Sequence, residues 1–176
     1  MQLTPATVAD AQEIAAAQVA SWQAAYASIF DTAWLAELSV EARAKRWHAI
    51  IEAKESHTVV SRHEGHVSGF VSFGKCRDDG AAAERGEVFA LYVDPKWWGR
   101  GCGRTLLSHA VARLRADGFT SASLWVLTAN QRGIKFYEAC GFERVAGSEK
   151  LFDLGGRRVE EVAFTLLNTP HANPSA

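Results

Sequence analysis

The chain has 176 residues, with 19 Lys plus Arg set against 20 Asp plus Glu, so a single domain around one core is expected. A net charge of -1 argues against a nucleic-acid partner, which calls for a concentrated excess of basic side chains. No apolar run is long enough to span a membrane, and Met1 to Pro5 lack the basic-then-apolar pattern of a signal peptide. Cys76, Cys102 and Cys140 lie far apart. They suggest neither a disulfide framework nor a metal site, and a reducing cytoplasm is the expected setting.

Leu3 to Ala6 reads as a short first strand. Thr7 or Asp10 caps a helix in which Ile14, Val19, Trp22 and Tyr26 recur at helical spacing. Asp31 to Ile51 reads as one or two further helices, with Trp34, Leu35, Leu38, Ala42 and Trp47 apolar. The period then changes. Thr58 to Ser61, Val67 to Phe73 and Glu87 to Val93 are strands of an antiparallel meander, separated by turns at Glu64-Gly65 and Asp78-Asp79-Gly80. Cys102 to Asp117 is an amphipathic helix carrying Leu106, Leu107, Ala110, Val111 and Leu114 on one face. Ser121 to Leu127 is a strand, and Gln131 to Cys140 a helix stopped by Gly141. Phe142 to Phe152 and Val159 to Leu167 close the chain as two strands around Gly155-Gly156. The central strand-helix-strand unit is expected to be a parallel crossover. The domain is taken as 1–168, with 169–176 a frayed tail.

Chemistry concentrates between Glu87 and Leu107. A strand ends in Asp94-Pro95, and a loop holding Gly99, Gly101 and Gly103 runs directly into a helix. Alternate glycines let main-chain N–H groups converge at a helix start, which suits a phosphate or pyrophosphate. Arg100 and Arg104 add charge. A P-loop is excluded because no Gly-x-x-x-x-Gly-Lys-Ser/Thr run occurs. The dinucleotide pattern fails because Arg104 stands where its third glycine belongs. A plain strand-to-helix turn remains the competing reading of the glycines.

The loop resembles the acyl-coenzyme A loop of the GNAT superfamily of N-acetyltransferases, Gln/Arg-x-x-Gly-x-Gly/Ala. The segment from Leu124 through Asn130, Phe136, Tyr137 and Gly141 to Phe142 also resembles that family's next strand, its Asn-led helix and its Phe-Tyr-x-x-x-Gly-Phe signature. Two motifs in the right order and context are more specific than either alone. The resemblance implies a mixed α/β fold: a mostly antiparallel sheet of six to seven strands, a central parallel pair splayed open, and about four flanking helices.

It also implies roles for individual residues. Acetyl-coenzyme A would enter the splay, with pantetheine along the main chain of Leu91, Tyr92 and Val93 and the pyrophosphate on the amides of Gly99, Arg100, Gly101, Cys102, Gly103 and Arg104. Trp98 falls at the family's Gln/Arg position, so a polar contact there is lost or replaced by indole. Asn130 matches a cofactor-contacting Asn, and an N-cap role is equally open to it. Arg132 and Lys135 would reach nucleotide phosphates or else lie on a solvated helix face.

Tyr137 matches the tyrosine that protonates the departing thiolate; otherwise it is an aromatic core residue. A phenol of pKa about 10 serves a thiolate of pKa about 8.5 only where the site favours transfer. An amine acceptor is mostly protonated at neutral pH and needs a base. Glu87 is the first candidate and Glu84 the second, against the reading that a strand-opening Glu is simply exposed. A strand amide near Leu91 or Tyr92 would stabilise the oxyanion. Trp22 and Tyr26 lie one helical turn apart and, with Phe30 and Trp34, form an aromatic wall for the acceptor or a stripe of core. His63 and His66 flank a turn and suggest no metal.

The function implied is acetyl transfer from acetyl-coenzyme A to a primary amine of a small-molecule or amino-acid-like acceptor. A protein N-terminus or lysine as acceptor, and a non-catalytic acyl-coenzyme A sensor, are the alternatives. Dimers are common among similar proteins, and Trp97, if exposed, would suit such a homodimer interface.

Overall fold

The structure is a computed structural model that describes residues 1–167; the expected tail lies outside the described residues. Strand β1 (Gln2–Pro5) is followed by a 3-10 turn at Val8–Asp10 and by helices α1 (Ala11–Ala25), α2 (Thr32–Ala36) and α3 (Val40–Ala53). Strands β2 (His57–His63), β3 (His66–Lys75) and β4 (Arg85–Val93) come next, then a 3-10 turn at Pro95–Trp97 and helix α4 (Cys102–Ala116). The chain continues through β5 (Ser121–Leu127), α5 (Gln131–Glu138), β6 (Glu143–Arg144), β7 (Lys150–Leu154) and β8 (Arg157–Leu167). Among the described residues no helix is long and apolar enough to cross a membrane.

All eight strands join one sheet in the order β1-β2-β3-β4-β5-β8-β6, with β7 also pairing β8. The eighth strand arises where the sequence suggests one strand from Phe142 to Phe152. That stretch breaks into β6 and β7 because a turn with Gly147 at φ 73° interrupts it. The Ser148 hydroxyl fills the gap, accepting from the Ala163 N–H at 3.0 Å and donating to the Val145 carbonyl at 2.7 Å. The span Asp31 to Ile51 likewise divides, because the Ser39 side chain accepts from the Ala42 N–H and starts α3 afresh. Glu64 and Gly65, both at positive φ, make the tight turn joining β2 to β3.

Among the described residues only β4 and β5 pair in parallel, and they do so at Arg85–Ser121, Gly86–Ala122 and Glu87–Ser123 before parting. Helix α4 crosses between them and seats Leu106, Leu107, Ala110 and Leu114 on Val71, Phe73, Val88, Leu124 and Phe164 of the sheet. The approach is close at Gly86, where a Cβ would lie 2.7 Å from Leu114 Cδ2, so any side chain there requires Leu114 to move. The other face is covered by α1 and α3, with Ile14, Ala15, Ala44 and Trp47 against Val60, Val67 and Phe70. Cover on both faces buries β2 from Thr58 to Ser61 and β3 from Val67 to Phe73, small hydroxyl side chains included. A third, aromatic cluster of Tyr26, Phe30, Leu35 and Leu127 closes the sheet end where β4 and β5 diverge.

Candidate functional site

The parting of β4 and β5 opens a cavity of about 840 Å3. From Val88 onward the β4 edge faces this gap with no strand beside it, so its N–H and C=O groups are available to a ligand. A shift of register in the pairing of β3 with β4 leaves Phe89 as an extra residue, bulging the strand where it leaves β5. Leu91, Tyr92 and Val93 line the cavity as the sequence suggests. The Val93 carbonyl, however, is already taken by Trp98, whose Nε1–H donates to it at 2.8 Å.

The glycine loop lines the same cavity through Gly99, Gly101 and Gly103. Asp94 accepts from the Lys96 N–H and starts the 3-10 turn, which delivers the chain to Gly99 and Gly101 at φ 74° and 83°. Left-handed residues alternating with ordinary ones turn successive N–H groups to one side, and Gly101 is also the N-cap of α4. A Cβ at either glycine would meet nothing within 4 Å, so open space adjoins the backbone there. Gly103 and Arg104 continue the lining, as does Cys102, whose thiol turns into the core beside the Ser68 hydroxyl.

Several charged side chains go elsewhere than the sequence suggests. Arg104 sends its guanidinium to the Ala139 carbonyl with two hydrogen bonds of 3.2 Å, tying α4 to the end of α5. Arg100 is exposed and lies over the Trp97 ring at 5.0 Å. Trp97 is packed between Arg100 and His63, whose ring centre is 4.0 Å away, rather than presented bare to a partner. Lys135 is exposed and outside the cavity lining. Arg132 does line the cavity, stacked on Trp98 with its guanidinium carbon 3.8 Å from the ring centre. Asn130 caps α5 by accepting from the Gly133 N–H at 3.0 Å, and it also lines the cavity and meets the Tyr26 hydroxyl.

Tyr137 projects from α5 into the cavity between Phe136 and Phe142, at ring distances of 5.2 and 6.1 Å. Its hydroxyl has no hydrogen-bond partner among the described residues. Burial pushes the phenol far above the tyrosine range, and the neighbouring Tyr92 and Cys140 add to the effect. Tyr26 and Tyr92 are raised for the same primary reason, so three neutral phenols surround the centre of the cavity.

Glu87 lies at the point where β4 and β5 part, 3% exposed, and its carboxylate is fully engaged. Arg77 donates to it from the main chain at 2.9 Å, from Nε at 3.3 Å and from Nη2 at 2.6 Å. Glu84 lies outside the cavity, and its main-chain carbonyl accepts from Thr120. Trp22 and Tyr26 line the cavity at a ring distance of 5.1 Å, edge to face. Phe30 and Trp34 stand behind them as packing.

Polar wall residues that escape a reading by motif include Arg77, Trp125 and Glu161. A signal for the last exists in the sequence. Glu160 and Glu161 interrupt the apolar run from Val159 to Phe164, and a carboxylate inside a strand flanked on both edges must face something polar.

Residues 19–142 match the Acetyltransferase (GNAT) family. The chain belongs to that family. It is 32% identical over 159 residues to the N-acetyltransferase YuaI of Bacillus subtilis (strain 168), covering 90% of this chain and 88% of that one. It is also 36% identical over 88 residues to the mycothiol acetyltransferase of Thermobifida fusca (strain YX), but spans only 27% of that longer protein. In fold it is similar to yncA of Salmonella typhimurium, solved with acetyl-CoA, at a TM-score of 0.73 over 100% of this chain and 98% of that one, with 24% identity. The GNAT family is one of acetyl-coenzyme A dependent acyltransferases.

Proposed function

We propose that this GNAT domain transfers an acetyl group from acetyl-coenzyme A to the primary amine of a small or amino-acid-like acceptor. The observation that carries the reading is one continuous cavity. It joins the open β4 edge, the amide cradle at Gly99 to Arg104, and the unpartnered Tyr137 hydroxyl. The residues fit the cofactor: the space beside Gly99 and Gly101 is empty where a diphosphate needs close approach to backbone N–H groups. Acetyl-coenzyme A supplies a thioester carbonyl open to a neutral amine and a thiol that must leave protonated.

The chain's own groups do the rest. The β4 edge at Leu91 and Tyr92 aligns the pantetheine arm and offers an N–H to the developing oxyanion. The Gly99 to Arg104 amides and the positive end of α4 hold the diphosphate. Arg132, aligned by Trp98, faces the same end with positive charge. Tyr137 donates the proton to the departing sulfur. The burial that raises the phenol also penalises a thiolate in the same dry site, so the proton moves between matched partners.

Trp22, Tyr26, Phe152 and Leu154 wall the acceptor end and favour a small acceptor with an apolar body over a polypeptide. The three free cysteines accord with a reducing cytoplasm. Calorimetric titration with acetyl-coenzyme A, followed by thiol release across a panel of primary amines, tests the reading. Binding with release from at least one amine is expected. Absence of binding removes the cavity assignment, and binding without any release leaves a sensor in its place.

A further inference from the structure

Glu161 stands on β8 directly opposite Leu127, the last residue of β5, at the sheet end where β4 and β5 have parted. Its half-buried side chain lines the cavity that also holds Tyr137, Trp22 and Tyr26. Two other carboxylates lie close by, and each is committed. Glu87 is held by three donors of Arg77. Asp78 accepts from Trp125 Nε1 at 3.2 Å and from Lys150 Nζ at 3.3 Å. The Glu161 carboxylate has no hydrogen bond or ion pair of its own among the described residues. The group therefore has free lone pairs, partial exclusion from water, and an opening toward the acceptor end of the cavity.

We propose that Glu161 is the base that receives the acceptor's ammonium proton, directly or through one water. The proposal rests on the transferase reading and replaces Glu87 in the role the sequence suggests for it. The proton passes from the ammonium nitrogen to a Glu161 oxygen, and the freed lone pair forms the new N–C bond to the acetyl carbonyl carbon. As the C–S bond breaks, the sulfur takes the Tyr137 proton. The nitrogen's second surplus proton restores Tyr137 by way of water, and Glu161 discharges its own to solvent. One proton is released per acetyl group moved, as conversion of an ammonium ion to an amide requires.

The surroundings suit the role. Burial raises the Glu161 pKa, Lys150 on β7 opposes, and Asp78 and Glu87 add to the rise, leaving it above the usual glutamate range. Arg77 also lines the cavity, and its guanidinium is engaged by Glu87. A raised carboxylate is a stronger base toward an ammonium ion, and its negative charge also attracts that ion.

The test compares wild type with Glu161→Gln using ethylamine, an ammonium ion at pH 7, and hydroxylamine, which is largely neutral there. Glu161→Gln is expected to lower kcat/KM for ethylamine by about 10²-fold and to change that for hydroxylamine much less. The acid limb of the wild-type pH profile is expected to vanish in Glu161→Gln and to return in Glu161→Asp. Unchanged acetyl-coenzyme A affinity in both variants guards against misfolding. Carbon-13 resonances of labelled glutamates provide a reading that needs no acceptor: one carboxyl titrates above the rest and is missing from Glu161→Gln. If Glu161→Gln retains wild-type kcat/KM for ethylamine across the pH range, Glu161 is not the base while the transferase reading stands. If wild type releases no thiol with any amine, the transferase reading fails, and the base fails with it.

Discussion

The Arg132 guanidinium is stacked on the Trp98 indole at 3.8 Å, and that indole also hydrogen-bonds the Val93 carbonyl. Trp98 thus links the end of β4 to the first turn of α5 across the gap into which the cofactor is proposed to enter. A tryptophan at a position where the resembling family carries Gln or Arg becomes intelligible: it positions an arginine supplied from another element. The hydrogen bond contributes about 1 kcal/mol and the stacking about 0.5–1 kcal/mol. Trp98→Ala is expected to weaken acetyl-coenzyme A binding by about tenfold with little loss of secondary structure. Calorimetry checks it, and an affinity equal to wild type removes both Trp98 and Arg132 from the cofactor site.

Gly101 separates backbone strain from ligand contact. It sits at φ 83° with open space beside it. Gly101→Ala is expected to cost about 1 kcal/mol of stability through the left-handed backbone and to retain binding. Gly101→Asp adds a carboxylate where the diphosphate is expected and is expected to abolish measurable binding. Parallel denaturation and titration of the two variants read the difference. Equal affinities would place the diphosphate elsewhere.

Tyr137→Phe is expected to leave acetyl-coenzyme A affinity near wild type, because the ring keeps its contacts with Phe136 and Phe142. Turnover is expected to fall by about 10²-fold, the usual scale of a lost proton donor. Steady-state kinetics paired with calorimetry make the comparison. A kcat equal to wild type would return Tyr137 to a packing role.

Away from the cavity, Asp10 joins the start of α1 to β2 through Arg62, with side-chain exposures of 8% and 26%. Burial pushes the Asp10 carboxyl up, but the Thr7 N–H, Arg62 and the Thr7 hydroxyl together hold it below the usual range. A lowered folded-state pKa means stability present above the unfolded value of about 3.9 and lost as pH falls through the folded one. Asp10→Ala is expected to cost about 2 kcal/mol at pH 7, where it removes a charge-assisted hydrogen bond from a partly exposed guanidinium. The gap from wild type should narrow on acidification below pH ~4. Urea unfolding at several pH values measures it, and a gap independent of pH would show that the ion pair is not its source.

Glu161 has the opposite sign. Its pKa is raised in the folded state, so its charge opposes folding at neutral pH, and the stability present at low pH is lost as pH rises through the raised value. Glu161→Gln is therefore expected to raise the melting temperature at pH 7 while lowering turnover, with no such gain at pH 3. Thermal scans at the two pH values check this, and a variant less stable at pH 7 would assign the carboxylate a structural role.

The elements with strong local signals were legible in the sequence. The α4 stripe shows as a helical period, and the Glu64-Gly65 turn, the glycine loop and the Asn130 cap rest on conformations and contacts of residues near in the chain. The break between β6 and β7 was not legible, because Ser148 completes a ladder with Ala163 that only the folded sheet brings near. Arg104 shows the same limit. Its spacing suits a phosphate, yet a carbonyl at the end of another helix takes its guanidinium.

The sequence by itself determined the order of strands and helices apart from the β6–β7 break, the glycine turn at Gly99 to Gly103, and through two motifs the family. These follow from periodicity and left-handed backbone conformation, which a few neighbouring residues set. Only the tertiary structure decided which side chains remain free. Whether a carboxylate is spent or available depends on which groups the folded sheet brings beside it: Glu87 on β4 meets Arg77 just past the end of β3, whereas Glu161 is brought to the cavity wall by β8 and left unpaired. Hydrogen bonds and ion pairs act over a few ångströms of space, and folding sets that distance independently of separation along the chain.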